Sequence, residues 1–329
     1  MARNHVRKLI GLSPDEGRAL LGAVRGPFDI SGGLTPLESQ LLGAIAERVL
    51  GIDRAAIAPL TAEEAAATIT DHDLRRRAVE LMVVLELTRH PLPQEVEESV
   101  AAFARALDVD EPMVRAAHDY AEQHVAHLYA DLQRFTWYTE EVEHSMLHGG
   151  FQRILRSKLA YQGVAADRKI AHKWEALADC VPGTWGRELA DFYARHHFPF
   201  PGQKHGITEL GAHHDWVHVL GDYGTTPEDE LDVFAFISAA SEDPHAFTLL
   251  VTTLALFQNG AITHVAGKKV AIACQDALDA PGAADRFGDA LGRGATCTVD
   301  AMAIDHFAYK DELLDDVRRQ FAIPPRSAA

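Results

Sequence analysis

Apolar positions recur at helical spacing through most of the chain. Leu37, Leu41, Leu42, Ile45 and Val49 mark the first stripe of a region running from residue 35 to about 135. That three-and-four spacing is what a core-facing helix needs. Thr61-Ala62-Glu63-Glu64 carries the hydroxyl and the carboxylate of a capping box and opens a further helix, and Leu74 to Leu87 continues the pattern. His90-Pro91-Leu92-Pro93 breaks it, because proline lacks an N–H and disfavours helix in the residue before it. Glu95 to Leu107 predicts a clean helix ended by Asp108-Val109-Asp110, and Glu111 to Ala130 a long one. No strand-like alternation competes, so this half reads as a helical bundle with short connections.

Residues 131 to 150 read as a junction, with Gly149-Gly150 as a breaker. The helical pattern resumes from Phe151 to about Ala178. Pro182-Gly183-Thr184 is a turn before a helix from Trp185 to His196, and Phe198 to Gly202 is a loop. Two further helices are expected around residues 213–220 and from Pro227 to Ala240. From about Pro244 to Phe257 the chain is apolar nearly all round, which makes a helix there central to the second domain. A last helix is expected near Lys310 to Phe321, before an extended Ile323-Pro324-Pro325 tail. The expectation is an all-α protein of two helical domains, residues 1–140 and 141–329.

Composition narrows the function classes. The 329 residues are 47% hydrophobic and 24% charged, the proportions of a soluble globular protein. A net charge of −17 argues against sequence-independent nucleic-acid binding, which needs Lys and Arg to displace counterions. It also disfavours electrostatic docking on anionic membranes. No stretch is apolar for long enough to span a bilayer, and Met1 to Leu9 lacks the apolar core of a signal peptide. Cys180, Cys274 and Cys297 are widely spaced and form no C-x-x-C pair, so reduced, buried thiols and a cytoplasmic setting are expected.

The chemistry concentrates in one segment. His214-Asp215-Trp216-Val217-His218, followed after eleven residues by Glu230, reads His-Asp-x-x-His-(x11)-Glu. In a helix His214 and His218 are one turn apart, and Asp215 falls within an arc of roughly 100° with them. Gly221 and Gly224 are candidates to end that helix in a left-handed conformation. Thr226 then has the character of an N-cap, with Pro227 at the first helical position and acidic residues behind it, which puts Glu230 in or near the first turn of the next helix. Two imidazoles with one or two carboxylates suit iron, manganese or zinc. The working assignment takes His214, His218 and Glu230 as ligands of a divalent metal. Asp215 is either a fourth ligand or the acceptor that orients an imidazole.

Arg187 is the candidate to hold an anionic substrate group, because its fork matches a carboxylate. The competing reading pairs Arg187 with an acid on its own helix. Asp222 and Tyr223 lie between the two ligand-bearing helices, either facing the site or capping the turn. His213 points about 100° away from His214 and ranks below it as a ligand. Glu141-x-x-His144, beside Asp215-x-x-His218, admits a dinuclear site only if two further carboxylates join. His124-x-x-His127 reads as a helix face, and the dipeptides His72-Asp73 and His118-Asp119 as coincidences.

The motif has company. Pro182-Gly183-Thr184-Trp185-Gly186-Arg187 precedes it and Asp315 to Pro325 closes the chain, and in that order the segments resemble the Coq-four family of coenzyme Q (ubiquinone) biosynthesis over roughly residues 150–329. The resemblance implies an all-α fold with His214, Asp215, His218 and Glu230 as the metal positions. It further implies an apolar channel for an isoprenoid or quinone lipid, oxidative removal of a ring carboxylate, and contact with other biosynthetic enzymes at a membrane. The His- and Gly-rich approach from His205 to His213 departs from that pattern. Leu92 to Val109 resembles the TerB-like family of small helical bundles, which implies the fold of the first domain. The expected partners are thus a small-molecule or lipid-like substrate, with peripheral membrane or enzyme contact and a homodimer admitted. The expected function is metal-dependent, oxidative modification of a quinone-like or aromatic carboxylate substrate. A lipid-binding scaffold with a structural metal and a metal-dependent hydrolase are the alternatives.

Overall fold

The computed structural model describes residues 9–109, 166–260, 264–265, 268–269 and 274–327. Among them the protein is all-helical apart from a two-residue antiparallel pair, His264–Val265 with Lys268–Lys269. The α-helices are α1 (Pro14–Ile30), α2 (Pro36–Ala44), α3 (Ala62–Thr68), α4 (His72–Glu86), α5 (Gln94–Ala106), α6 (Arg168–Glu175), α7 (Trp185–His196), α8 (His213–Gly221), α9 (Pro227–Ala240), α10 (Pro244–Phe257), α11 (Ala283–Thr296) and α12 (Leu314–Gln320). Four of them open with a full capping box, at Ser13, Thr35, Thr61 and Thr226. Each box satisfies N–H groups that a helix start otherwise leaves unbonded. The expected helix Glu111 to Ala130, the junction 131–150, the boundary at 140/141 and the start of the 151–178 helix lie outside the described residues. So do the pairs at His118-Asp119, His124/His127 and Glu141/His144.

The described residues fall into two compact units. One contains residues 9–109, those described within Thr225–Thr296, and 326–327. Leu20, Leu21, Phe28, Leu41, Phe103 and Phe236 are fully enclosed in its core. Glu38 is buried with them and is held by a two-pronged contact from Arg89, Nε at 2.6 Å and Nη2 at 2.8 Å. The apolar helix α10 packs on α9 and α4. Thr252 and Thr253 on it satisfy their hydroxyls on carbonyls one turn back.

The second unit contains residues 166–224 and 297–325. Its core is built on Trp174, Trp185 and Trp216, all fully buried, with Trp185 and Trp216 meeting edge to face at 5.1 Å between centroids. The turn at residues 182–184 and the segment at 310–314 lie against each other. Trp185 and Gly186 donate their N–H groups to the carbonyls of Glu312 and Lys310, both at 2.9 Å, and Leu314 donates to Gly183 at 2.9 Å. This pairing corrects the expected C-terminal helix, which begins at Leu314 instead of Lys310. The carbonyls of Lys310 and Glu312 are taken by another segment and so are unavailable to a helical ladder. The extended tail follows as expected.

Cys180, Cys274 and Cys297 are free thiols, and Cys180 and Cys297 are buried. Among the described residues no helix is long and apolar enough to cross a membrane.

Candidate metal centre

Helix α8 is held at three points inside its own unit. Trp185 Nε1 donates to the Trp216 carbonyl at 3.1 Å. Arg318, from α12, donates through Nε to the Leu220 carbonyl and through Nη2 to the Val219 carbonyl, each at 3.0 Å. The carbonyls at a helix C-terminus lack intrahelical partners and carry partial negative charge, so a guanidinium suits them. Asp222, not a glycine, ends the helix in the left-handed conformation, at φ 59° and ψ 46°. Short polar side chains tolerate that region better than others. The glycine at 221 serves a different need: a Cβ there would lie 2.1 Å from the ring of Tyr223.

After residues 222–226, Thr226 caps α9 through Asp229, with Pro227 in the first turn as the spacing predicts. The Glu230 N–H bonds the Thr226 carbonyl at 2.9 Å, which fixes Glu230 at the head of this helix. One candidate ligand atom each from His214, His218 and Glu230 lies within 4.8 Å of the other two, a candidate metal-binding triad. His218 is buried, and the other two are partly exposed.

The imidazoles are oriented for such a role. His218 Nδ1 lies 2.7 Å from the Gly224 carbonyl, and His214 Nδ1 contacts the Gly211 carbonyl. A carbonyl only accepts, so each Nδ1 donates a proton to it, and Nε2 is the nitrogen left to face an ion. This is the tautomer that a hydrogen-bonded metal ligand adopts. Phe192, on α7, stacks on the His218 ring at 5.6 Å and 29°. Asp215 adjoins the triad through His214: its Oδ1 is 3.2 Å from His214 Nε2. Two neighbouring donors on one ion stand about 3 Å apart when each bond is ~2.1 Å. Two imidazoles and a carboxylate are the ligand types that iron, manganese or zinc takes.

Asp215 has a second partner that the spacing of the motif did not reveal. Tyr193, buried on α7, donates its hydroxyl to Asp215 Oδ2, and its ring stacks on Phe200 at 4.8 Å and 10°. Burial, with the adjacent carboxylate adding, pushes the Tyr193 phenol far up, so it remains a donor. The available signal was a tyrosine inside an apolar helical stripe, where its hydroxyl must find a partner.

Other candidates sit elsewhere in the arrangement. Arg187 pairs through Nε with both carboxylate oxygens of Asp191, at 3.0 and 3.1 Å, and donates to the Ala178 carbonyl at 3.1 Å; this is the on-helix reading. Asp222 is exposed at the helix cap, and Tyr223 is buried with its ring over Gly221. His213 turns to the Met302 carbonyl at 3.1 Å and lies 4.7 Å from His306, and burial pushes its pKa down. His72-Asp73 sits at the start of α4, where Asp71 is the N-cap.

Comparison of the chain with known protein families and with curated proteins finds no match in either.

Proposed function

We propose that this protein is a metal-dependent enzyme that oxidatively modifies a quinone-like or aromatic carboxylate substrate, with His214, His218 and Glu230 holding the ion and Asp215 beside them. The carrying observation is the convergence of those three ligand atoms within 4.8 Å, on imidazoles whose Nδ1 atoms are already committed to carbonyls. Two imidazoles and a carboxylate on one side of an ion leave positions for a substrate oxygen, and iron in that setting supplies oxygen chemistry. The rings support an aromatic substrate. Phe192 covers one face of His218, and Phe198, 42% exposed, lies 6.1 Å from Phe192. The order of the flanking sequence segments, which resembles the Coq-four pattern, supports the same reading.

The test is metal analysis of protein purified without added metal, alongside His218→Ala. Near-stoichiometric iron or manganese, lost in the variant, with oxygen uptake on addition of a hydroxybenzoate-type substrate, supports the reading. Stoichiometric zinc with ester, amide or phosphate release would replace it with hydrolysis. Absence of bound metal in the parent, with no uptake of zinc or iron on titration, overturns it.

A further inference from the structure

We infer that Tyr193 is a positioning residue of the metal centre: its hydroxyl holds Asp215 so that the second carboxylate oxygen faces His214 Nε2. This rests on the metal reading above and adds to it a residue from a different helix. The geometry is a short chain of contacts. The Tyr193 hydroxyl donates to Oδ2, and Oδ1 of the same carboxylate stands 3.2 Å from His214 Nε2. Asp215 is 7% exposed and Tyr193 1%, so water is a poor substitute for the phenol.

The surroundings hold Tyr193 in place. Its ring is stacked on Phe200 and meets Phe198 edge to face at 6.0 Å. The next residue back, Phe192, lies on His218. Helix α7 thus touches both halves of the His-Asp-x-x-His segment, His218 through a ring and Asp215 through a hydroxyl. A carboxylate with two χ angles would otherwise be free to rotate, and a ligand or orienting group placed off its line binds the ion more weakly. Phenylalanine at 193 keeps the ring and its stacking and removes only the donor.

The experiment measures Zn²⁺ affinity by competition with a chromophoric chelator, and the visible spectrum of the Co²⁺-loaded protein, for the parent, Tyr193→Phe, Asp215→Asn and the double variant. Tyr193→Phe is expected to weaken Zn²⁺ binding by about 10-fold and to shift the Co²⁺ bands. In the Asp215→Asn background the same change is expected to cost less than about twofold, because the route through the carboxylate is already cut. Equal losses in both backgrounds would mark a purely structural effect and overturn the inference, as would unchanged affinity in Tyr193→Phe. If Tyr193→Phe loses its helical circular dichroism, Asp215→Asn alone decides: parent-like affinity and bands overturn the inference, and a loss with shifted bands supports it. A parent that binds neither Zn²⁺ nor Co²⁺ overturns the metal reading itself and this inference with it. A metal-binding parent with an indifferent Tyr193→Phe removes only the latter.

Discussion

Arg318 on α12 clasps the end of the helix that carries the paired histidines, with one nitrogen on the Leu220 carbonyl and another on that of Val219, each at 3.0 Å. The same guanidinium also meets Asp315 at 3.0 Å on its own helix. One cation thus ties the chain's last helix to the last turn of α8, a few residues from His218. Hydrogen bonds from a charged donor contribute about 1.5–3 kcal/mol each when buried, and less where water shares them, as it does at a side chain 26% exposed. Arg318→Ala is expected to destabilise by about 1–3 kcal/mol and Arg318→Lys by roughly half as much, since an ammonium cannot span both carbonyls. Thermal unfolding of the two variants measures this, and equal stability of Arg318→Ala and the parent would refute it.

Glu230 and Asp222 are separated by only a short stretch, but the structure gives them unlike tasks. Glu230 contributes to the triad, whereas Asp222 is exposed and holds a left-handed cap. Glu230→Gln is expected to weaken Zn²⁺ binding by about 10-fold or more, because an amide is a far poorer ligand than a carboxylate. Asp222→Gly is expected to leave Zn²⁺ affinity within about twofold, since glycine adopts the same backbone conformation without strain. Parallel chelator competitions separate the two. A large loss in Asp222→Gly would place that carboxylate in the site after all.

Arg187 has the shape of a substrate clamp but already has an on-helix acid. Its pair with Asp191 spans one turn at the surface, with the two side chains 34% and 41% exposed. Such pairs contribute about 0.3–0.5 kcal/mol. Arg187→Ala is therefore expected to leave Zn²⁺ affinity unchanged and to lower stability only slightly. Once a substrate is in hand, an unchanged KM in this variant would confine Arg187 to the helix surface, and a rise in KM of about 10-fold or more would restore it to the substrate.

What the residues disclosed in advance follows from the range of the interactions concerned. The helices at Ala62–Thr68, His72–Glu86, Gln94–Ala106 and Trp185–His196, and the two bearing the triad, are marked by caps, breakers and apolar spacing within a few residues of each end. Helix α1 carries the same kind of mark, Ser13-Pro14-Asp15-Glu16. Helix α11 was harder to foresee, because its glycines serve close packing at the expense of propensity. A Cβ at Gly294 would lie 2.2 Å from the Phe236 carbonyl, and one at Gly288 would lie 2.6 Å from the Ala44 side chain. The triad was legible because its spacing is local. The Tyr193–Asp215 contact was not, since it joins two helices whose separation no periodicity encodes.

Glu86 offers a test of a different kind, through pH. It is buried on α4, and neither carboxylate oxygen has a hydrogen-bond partner. Burial, with the charge of Glu97 adding, raises its pKa well above the usual carboxylate range. In the unfolded chain Glu86 loses its proton near pH 4.3, while in the folded chain it keeps it. Below that pH both states are protonated and folding is not penalised. As pH rises past about 4.3 the unfolded chain releases a proton that the folded chain retains, so stability falls until the raised folded pKa is reached. Within that window each pH unit costs ~1.4 kcal/mol from this group. Glu86→Gln keeps the shape and cannot ionise. Its melting temperature relative to the parent is expected to rise as the pH is raised from 4.5 toward the raised folded pKa, with little difference at the acid end. A difference that is constant across the range, or that grows toward acid, would show that Glu86 is ionised in the folded protein.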